Sequence, residues 1–278
     1  MKPFPTVTVL LSSFKNLDRL WWALVGYSYQ TYAEFDIIIT DDGTSRDEFL
    51  AFQERASTLG LVISYLWQED HGFRKNRALN RAVAATNSEY LIFSDADIVP
   101  EQDFVRNHLI LSKPNFFIYG GSGVDISETY LPNLRHEDIR GQALFDVNWL
   151  EENGLATKKA RRRLKRKSHF GRVVGNLLTY RPNAFIGGNA SVWRDDLIKV
   201  NGFDESYAHY GSEDRDFGIR LANAGVKGRR YTFSLLYVHL DHQRPYVDLH
   251  KKNENRLKLK KTRKSGVTWI QNGISQYL

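Results

Sequence analysis

The stretch YLIFSDADIVP, residues 90–100, decides how the rest of this chain is read. It starts as an apolar strand, Tyr90-Leu91-Ile92-Phe93, and ends on two carboxylates, Asp95 and Asp97. Asp is poorly suited to strands, and burying a charge without a partner is costly. Two like charges one residue apart also repel. A ligand at the strand end would offset that cost. Oxygen ligands in this arrangement suit a hard divalent cation, because Mg2+ and Mn2+ take carboxylates and keep open positions for substrate phosphates.

Working outward from it, TVTVLLSS (6–13) reads as a buried strand and RLWWALVGYSYQ (19–30) as a helix. FDIIITDDGTS (35–45) is a second strand ending in paired acids, Asp41 and Asp42, followed by Gly43 and a helix-capping signal. RDEFLAFQERAS continues as a helix, LVISYLWQ (61–68) as a strand and RKNRALNRAVAAT (74–86) as a helix. After the quoted strand, a helix runs from Glu101 to about Ser112. This alternation predicts an α/β fold with a mostly parallel, Rossmann-like central sheet flanked by helices. In such sheets ligands bind outside the carboxyl ends of the strands. Asp41, Asp42, Asp95 and Asp97 are therefore expected to converge on one crevice. Any one of them alone could be a solvated turn or a helix cap; two pairs in one pattern point to a site. Arg74, Lys75 and Arg77 open a helix at the same end, where they and the helix N-terminus would suit a pyrophosphate, or simply form a solvated face.

A chain of 278 residues with 42% apolar and 26% charged residues can bury a large core, as one α/β domain or a domain with a small appendage. There is no cysteine, so disulfides and thiolate metal sites are excluded and a reducing cytosol fits. The opening apolar run is too short for a signal peptide, and no segment approaches about 18 apolar residues. The net charge of +7 suits nucleic acid, anionic lipid or a phosphorylated substrate. Much of it lies in KKARRRLKRK, Lys158 to Lys167. No Gly-x-Gly-x-x-Gly follows the first strand and no Walker loop occurs, which disfavours dinucleotide dehydrogenases and P-loop enzymes. The alternation stops after residue 113, and 122–184 reads as irregular.

TVTVLLSSFKN, DIIITDDGTSRDE, GFRKNRALNRA, YLIFSDADIVP, FIGGNASVWRDDLIKVNGFDESY and YGSEDRDFGIRLANAG resemble, in order, the successive motifs of family-2 inverting glycosyltransferases with the GT-A fold. The similarity is nearest to bacterial polysaccharide and chondroitin-polymerase-like members with a galactosyltransferase-like carboxyl half, and covers about residues 5 to 245. It implies a domain over 1–245, with a nucleotide-binding half (1–113) and an acceptor-binding half (114–245), before a basic extension (246–278). It also implies residue roles. Asp42 would read the base, and Asp95-Ala96-Asp97 would be the Asp-X-Asp motif on the ribose side and the metal. Asp41, Arg74 and Lys75 would complete the nucleotide-sugar site. Gly187, Gly188 and Asn189 would border the donor sugar, with Asn189 on the acceptor side. Ser12 and Ser13 stand where the family often has Pro-Thr, a departure at the nucleotide pocket. Tyr210 stands where related sequences often carry Trp, altering the acceptor platform.

The implied reaction is metal-dependent transfer from a nucleotide sugar, UDP by family habit, to a glycan or lipid-linked saccharide in bacterial surface polysaccharide synthesis. Asp214 would be the base and Glu213 would orient the acceptor, although both also suit the first turn of a helix capped by Ser212. His239 or His242, three apart in YVHLDHQRP, would join Asp97 on Mn2+ or Mg2+; a lone histidine is otherwise structural. The expected location is cytoplasmic, and Lys158–Lys167 could dock to the anionic inner face of a membrane. The same run could also be a solvated loop. Nucleic acid is not expected as a partner. The rivals are a nucleotidyltransferase making a nucleotide sugar, which should carry a Gly-rich signature that LLSSFKNLDRL lacks, and a non-catalytic carbohydrate- or nucleic-acid-binding module.

Overall fold

The computed structural model describes residues 3–121, 123–164, 169–178, 184–243 and 248–278. The first half alternates as expected: β1 (Val7–Ser13), α1 (Leu17–Ser28), β2 (Asp36–Asp42), α2 (Arg46–Ser57), β3 (Ile63–Gln68), α3 (Lys75–Ala84) and β4 (Tyr90–Asp95). Ser45 starts α2 by accepting the Glu48 amide, with acids filling the first turn. The quoted stretch then breaks: β5 (Ile98–Pro100) is a separate strand, followed by α4 (Phe104–Leu111), β6 (Phe116–Tyr119) and β7 (Val124–Ile126). The region expected to be irregular holds short helices, α5 (His136–Arg140), α6 (Val147–Glu152), α7 (Lys158–Leu164) and α8 (His169–Leu178). Then come β8 (Asn189–Trp193), α9 (Arg194–Lys199), α10 (Glu213–Asn223), β9 (Lys227–Arg230), β10 (Tyr237–Leu240) and α11 (Leu249–Ser265).

The main sheet has the order β3-β2-β1-β4-β8-β6-β9. Among the described residues only β8 runs against the others, pairing antiparallel with β4 and β6. A small second sheet, β5-β10-β7, covers one end. Strand alternation splits the core into two layers. Val7, Val9 and Leu11, Ile37 and Ile39, and Tyr90 and Ile92 face one helical layer with α1 and α2. Leu10, Ile38, Leu91 and Phe93 face the other, with Leu79, Leu197, Phe203 and Phe217. The central strands β1, β2 and β4 are buried on both faces, which leaves their carboxyl ends as the place for polar chemistry.

Residues beyond 245 are built into this domain. Thr262 Oγ1 on α11 donates to Asp216 on α10 at 2.7 Å, and Asn255 Nδ2 donates to the His209 carbonyl at 2.8 Å. Ile274 is fully buried in the second core layer. Asp216 also accepts Arg220 Nε at 2.7 Å and the Tyr207 hydroxyl at 3.2 Å, the added hydrogen bonds a buried ion pair needs.

Part of the basic run folds as α7, and three of the five bases in that helix are engaged within the molecule. Lys159 bonds Asp125 at 2.7 Å, Arg161 bonds Glu151 at 2.8 Å, and buried Arg163 donates to the Thr232 carbonyl and lies over the Phe233 ring. Among the described bases of the run, Lys158, Arg161 and Arg162 are exposed, and Lys158 and Arg162 make no ion pair among the described residues; Lys165, Arg166 and Lys167 lie outside the described residues. The described part of the run therefore presents far less free charge to an anionic surface than its sequence suggests. No helix of the described residues is long and apolar enough to cross a membrane.

Candidate active site

A cavity of about 900 Å³ opens at the carboxyl ends of β1, β2 and β4, and Ser12, Asp42, Lys75, Asp95, Ala96, Asp97, Tyr210 and His242 line it. At one end the Asp42 carboxylate accepts Gln68 Nε2 at 2.7 Å and the Arg74 amide at 3.0 Å. Burial raises the Asp42 carboxyl above the usual range, with those two donors opposing the rise. Asp41 does not reach the cavity. Successive strand residues point to opposite faces, so its fully buried carboxylate turns away and closes the turn by accepting the Thr44 amide and hydroxyl, both at 2.8 Å. The Arg74 side chain is also spent elsewhere, donating to the Glu69 carbonyl, so this residue serves the cavity through its backbone N–H. Gly43 has φ +112°, and a Cβ there would stand 2.7 Å from Asp70 Cβ. Asp70 in turn bonds Lys15 at 2.6 Å, tying the loops after β1, β2 and β3 together at the mouth.

Asp97, His239 and His242 meet, with one ligand atom from each within 4.8 Å of the others. Asp97 Oδ2 lies 3.3 Å from His239 Nε2 and 3.1 Å from His242 Nε2. The sequence offered either histidine; the fold brings both, one from β10 and one just after it. His242 Nδ1 donates to the Gln243 carbonyl at 2.8 Å, and His239 Nδ1 faces Asp125 Oδ1 at 3.4 Å. With each Nδ1–H directed outward, the neutral imidazoles turn both Nε2 lone pairs toward a carboxylate oxygen. Three lone pairs converging on one point fit a divalent cation held between them. Without a cation, an N–H on each Nε2 would bond the Asp97 carboxylate instead, and this outweighs burial, which would raise the carboxyl, and holds it well below the carboxylate range.

Asp95, one step before, takes a different partner, Lys75 Nζ at 2.8 Å. Burial raises the Asp95 carboxyl; Lys75 opposes that rise and Asp97 adds to it. Burial would lower the Lys75 ammonium, but Asp95, Asp214 and Glu213 together raise it. Asp95 and Asp214 are brought together by Gly187 and Gly188. A Cβ on Gly187 would sit 2.6 Å from Asp214 Oδ2, and one on Gly188 would sit 2.6 Å from Asp95 Oδ2. The Gly187 amide also donates to Asp214 Oδ2 at 3.1 Å, while buried Asp214 Oδ1 has no hydrogen-bond partner among the described residues. An orphaned buried carboxylate oxygen in a polar site is a ready proton acceptor. Glu213 is buried, accepts the Gly211 amide at 2.7 Å, and is pushed up to about 7 by burial and by Asp214.

Asn189 does not face the acceptor side. It is fully buried at the start of β8, its amide donating to the Leu235 carbonyl at 3.0 Å and its Oδ1 3.2 Å from His108 Nε2. Three further residues join the site without a sequence signal read for them. Gln68 holds Asp42, and Asp125 faces His239 while bonding Lys159. Lys251, at the start of α11, lines the cavity. Asp125 had one legible trait: a lone acid between the two apolar residues of a short strand.

The glycosyl transferase family 2 model matches residues 7–182, more than half of the chain. The chain belongs to that family. A second model, the N-terminal domain of galactosyltransferase, matches 168–243, the stretch that holds Gly187, Asp214, His239 and His242. Chondroitin synthase of Escherichia coli is 26% identical over 223 residues, 78% of this chain but 31% of its own length. The glycosyltransferase YfnE of Bacillus subtilis is 24% identical over 264 residues, covering 84% of this chain and 64% of its own. The chain thus spans less than two thirds of the relatives it matches. Among solved structures, mannosyltransferase PcManGT from Pyrobaculum calidifontis superposes over 95% of this chain and 64% of its own, with a TM-score of 0.61 at 16% identity. GalNAc-T7 superposes over 94% of this chain and 48% of its own, with a TM-score of 0.62 at 12% identity. The fold is GT-A.

Proposed function

We propose that this glycosyltransferase moves a sugar from a nucleotide sugar, with UDP the expected nucleotide, to a hydroxyl of a saccharide or lipid-linked glycan, with inversion at the anomeric carbon, in bacterial surface polysaccharide synthesis. One observation carries the reading. A single cavity holds Asp42, Lys75, Asp95 and, from the divalent-cation donor set, Asp97 and His242, and Gly187 and Gly188 pack directly between Asp95 and Asp214, whose Oδ1 is unpartnered among the described residues. The PcManGT structure holds GDP-Man with Mn2+ and the GalNAc-T7 structure holds UDP, GalNAc and Mn2+, which supports the metal and leaves the base to Asp42 and its surroundings.

Mn2+ or Mg2+ held by Asp97, His239 and His242 would supply charge neutralisation to a departing diphosphate. Lys75 holds Asp95 in place, so that its carboxyl group can meet the donor on the ribose side. Ser12 and Ala96 close the floor, linked by the Ala96 amide donating to the Ser12 carbonyl at 2.8 Å. Asp214 Oδ1 takes the proton of the acceptor hydroxyl as its oxygen bonds the anomeric carbon. The bond from that carbon to the diphosphate breaks on the opposite face, and the nucleoside diphosphate leaves. Glu213 and Tyr210 orient the acceptor.

The test follows nucleoside diphosphate release from UDP- and GDP-sugars with Mn2+. Asp214→Asn is close in shape but takes no proton, so turnover should fall about a hundredfold with nucleotide affinity intact. A collapse of nucleotide affinity instead would make Asp214 a donor-binding residue and overturn its role as base.

A further inference from the structure

Around the cavity, three basic side chains are each paired with an acid. Lys15 bonds Asp70 at 2.6 Å, Arg19 bonds Glu128 at 2.9 Å and Lys75 bonds Asp95 at 2.8 Å. Lys251 breaks that pattern: it lines the cavity, is exposed, and makes no ion pair among the described residues. The acid at this helix start, Asp248, is engaged by the backbone amides of His250, at 2.8 Å, and Lys251, at 3.3 Å. The next residue, Lys252, also makes no ion pair among the described residues, and its Nζ lies 6.0 Å from the centre of the Tyr210 ring. Tyr210 lines the cavity beside His209, three residues before Glu213.

The two lysines and the ring come from different elements that are fastened together. Asn255 bonds the His209 carbonyl, and Lys252 Cγ lies within 3.3 Å of where a Cβ on Gly211 would stand. The rest of α11 adds Arg256, Lys260, Lys261, Arg263 and Lys264 on exposed positions, so the helix extends a positive field outward from the cavity rim.

On the transferase reading, this corner is the acceptor side. We propose that it is a subsite for an anionic acceptor sugar. The sugar ring lies against Tyr210, and a carboxylate, sulfate or phosphate on it meets Lys251 and Lys252. A ring face and two ammonium groups recognise that combination better than a neutral sugar, whose hydroxyls would leave both charges unanswered.

Calorimetry on the full chain with UDP and Mn2+ bound tests this with three probes: an unsulfated hyaluronan tetrasaccharide, a mannose phosphate and uncharged chitotetraose. At low salt the acidic probes should bind at least about tenfold tighter than chitotetraose, and the preference should shrink as salt rises. The stronger acidic probe tells carboxylate from phosphate. The double variant Lys251→Gln, Lys252→Gln should lose the preference while keeping its melting temperature and its affinity for UDP with Mn2+. Acidic probes that bind no better than chitotetraose, or a preference that survives in the double variant, would overturn the subsite. Failure of UDP to bind with Mn2+ would overturn the transferase reading itself, separately from the acidic preference.

Discussion

Replacing Gly187 by Ala separates the two carboxylate functions of the site. The new methyl carbon would stand 2.6 Å from Asp214 Oδ2 and 2.7 Å from Oδ1, where ordinary contacts begin at 3.4 Å. The Asp214 carboxylate must retreat by about 0.8 Å, and its 3.1 Å bond from the Gly187 amide goes with it. Gly187 does not have a positive φ, so the backbone itself accepts Ala and the whole effect comes from this contact. A misplacement near 1 Å costs roughly a hundredfold in rate, or about 2.7 kcal/mol on the barrier. Gly188→Ala is the contrast, because its methyl meets Asp95 Oδ2 at 2.6 Å instead. Steady-state release of nucleoside diphosphate, calorimetry with UDP and Mn2+, and thermal melts should therefore diverge. Gly187→Ala loses turnover and keeps nucleotide affinity; Gly188→Ala loses nucleotide affinity. Full turnover in Gly187→Ala, or the same pattern in both variants, would refute the placement of Asp214 at the reacting centre.

Two more outcomes follow from the same geometry. Asp125→Asn removes the carboxylate facing His239 Nδ1 and the partner of Lys159, so Mn2+ affinity measured by electron paramagnetic resonance should fall about ten- to a hundredfold; unchanged affinity would remove Asp125 from the metal site. Glu213 is pushed up to about 7 from 4.5, chiefly by burial, so the folded chain binds its proton more tightly than the unfolded chain. Its contribution to stability is present below about pH 4.5 and is lost as pH rises to about 7. Glu213→Gln should flatten that part of the melting-temperature profile, and an unaltered profile would count against the burial of its charge.

The alternation of the first half was legible because parallel strands buried on both faces read as continuous apolar runs. The acid pairs at two strand ends marked the cavity. The pairs could not be resolved further from sequence, since Asp41 and Asp42 differ only in which way a strand residue points, and that depends on the turn Thr44 closes. Asn189 looked like part of a polar loop because its partners, His108 and Leu235, lie far away in sequence. Helix α11 read as an appendage for a related reason. Its buried face is Asn255, Leu259 and Thr262, so no apolar stripe announces it, and its hold on α10 is made by hydrogen bonds. The basic run misled in the opposite direction: Asp125, Glu151 and Thr232, which take up its charge, are invisible from the run itself.

Metal-dependent donor binding is tested most directly by titrating UDP into the protein by calorimetry, with Mn2+ and then with excess EDTA, for the native chain and for Asp97→Ala. Saturable binding is expected with Mn2+ alone, lost in EDTA and lost in Asp97→Ala, because Asp97 is the carboxylate both imidazoles share. UDP bound equally well in EDTA, or by Asp97→Ala, would contradict a donor site built on Asp97, His239 and His242.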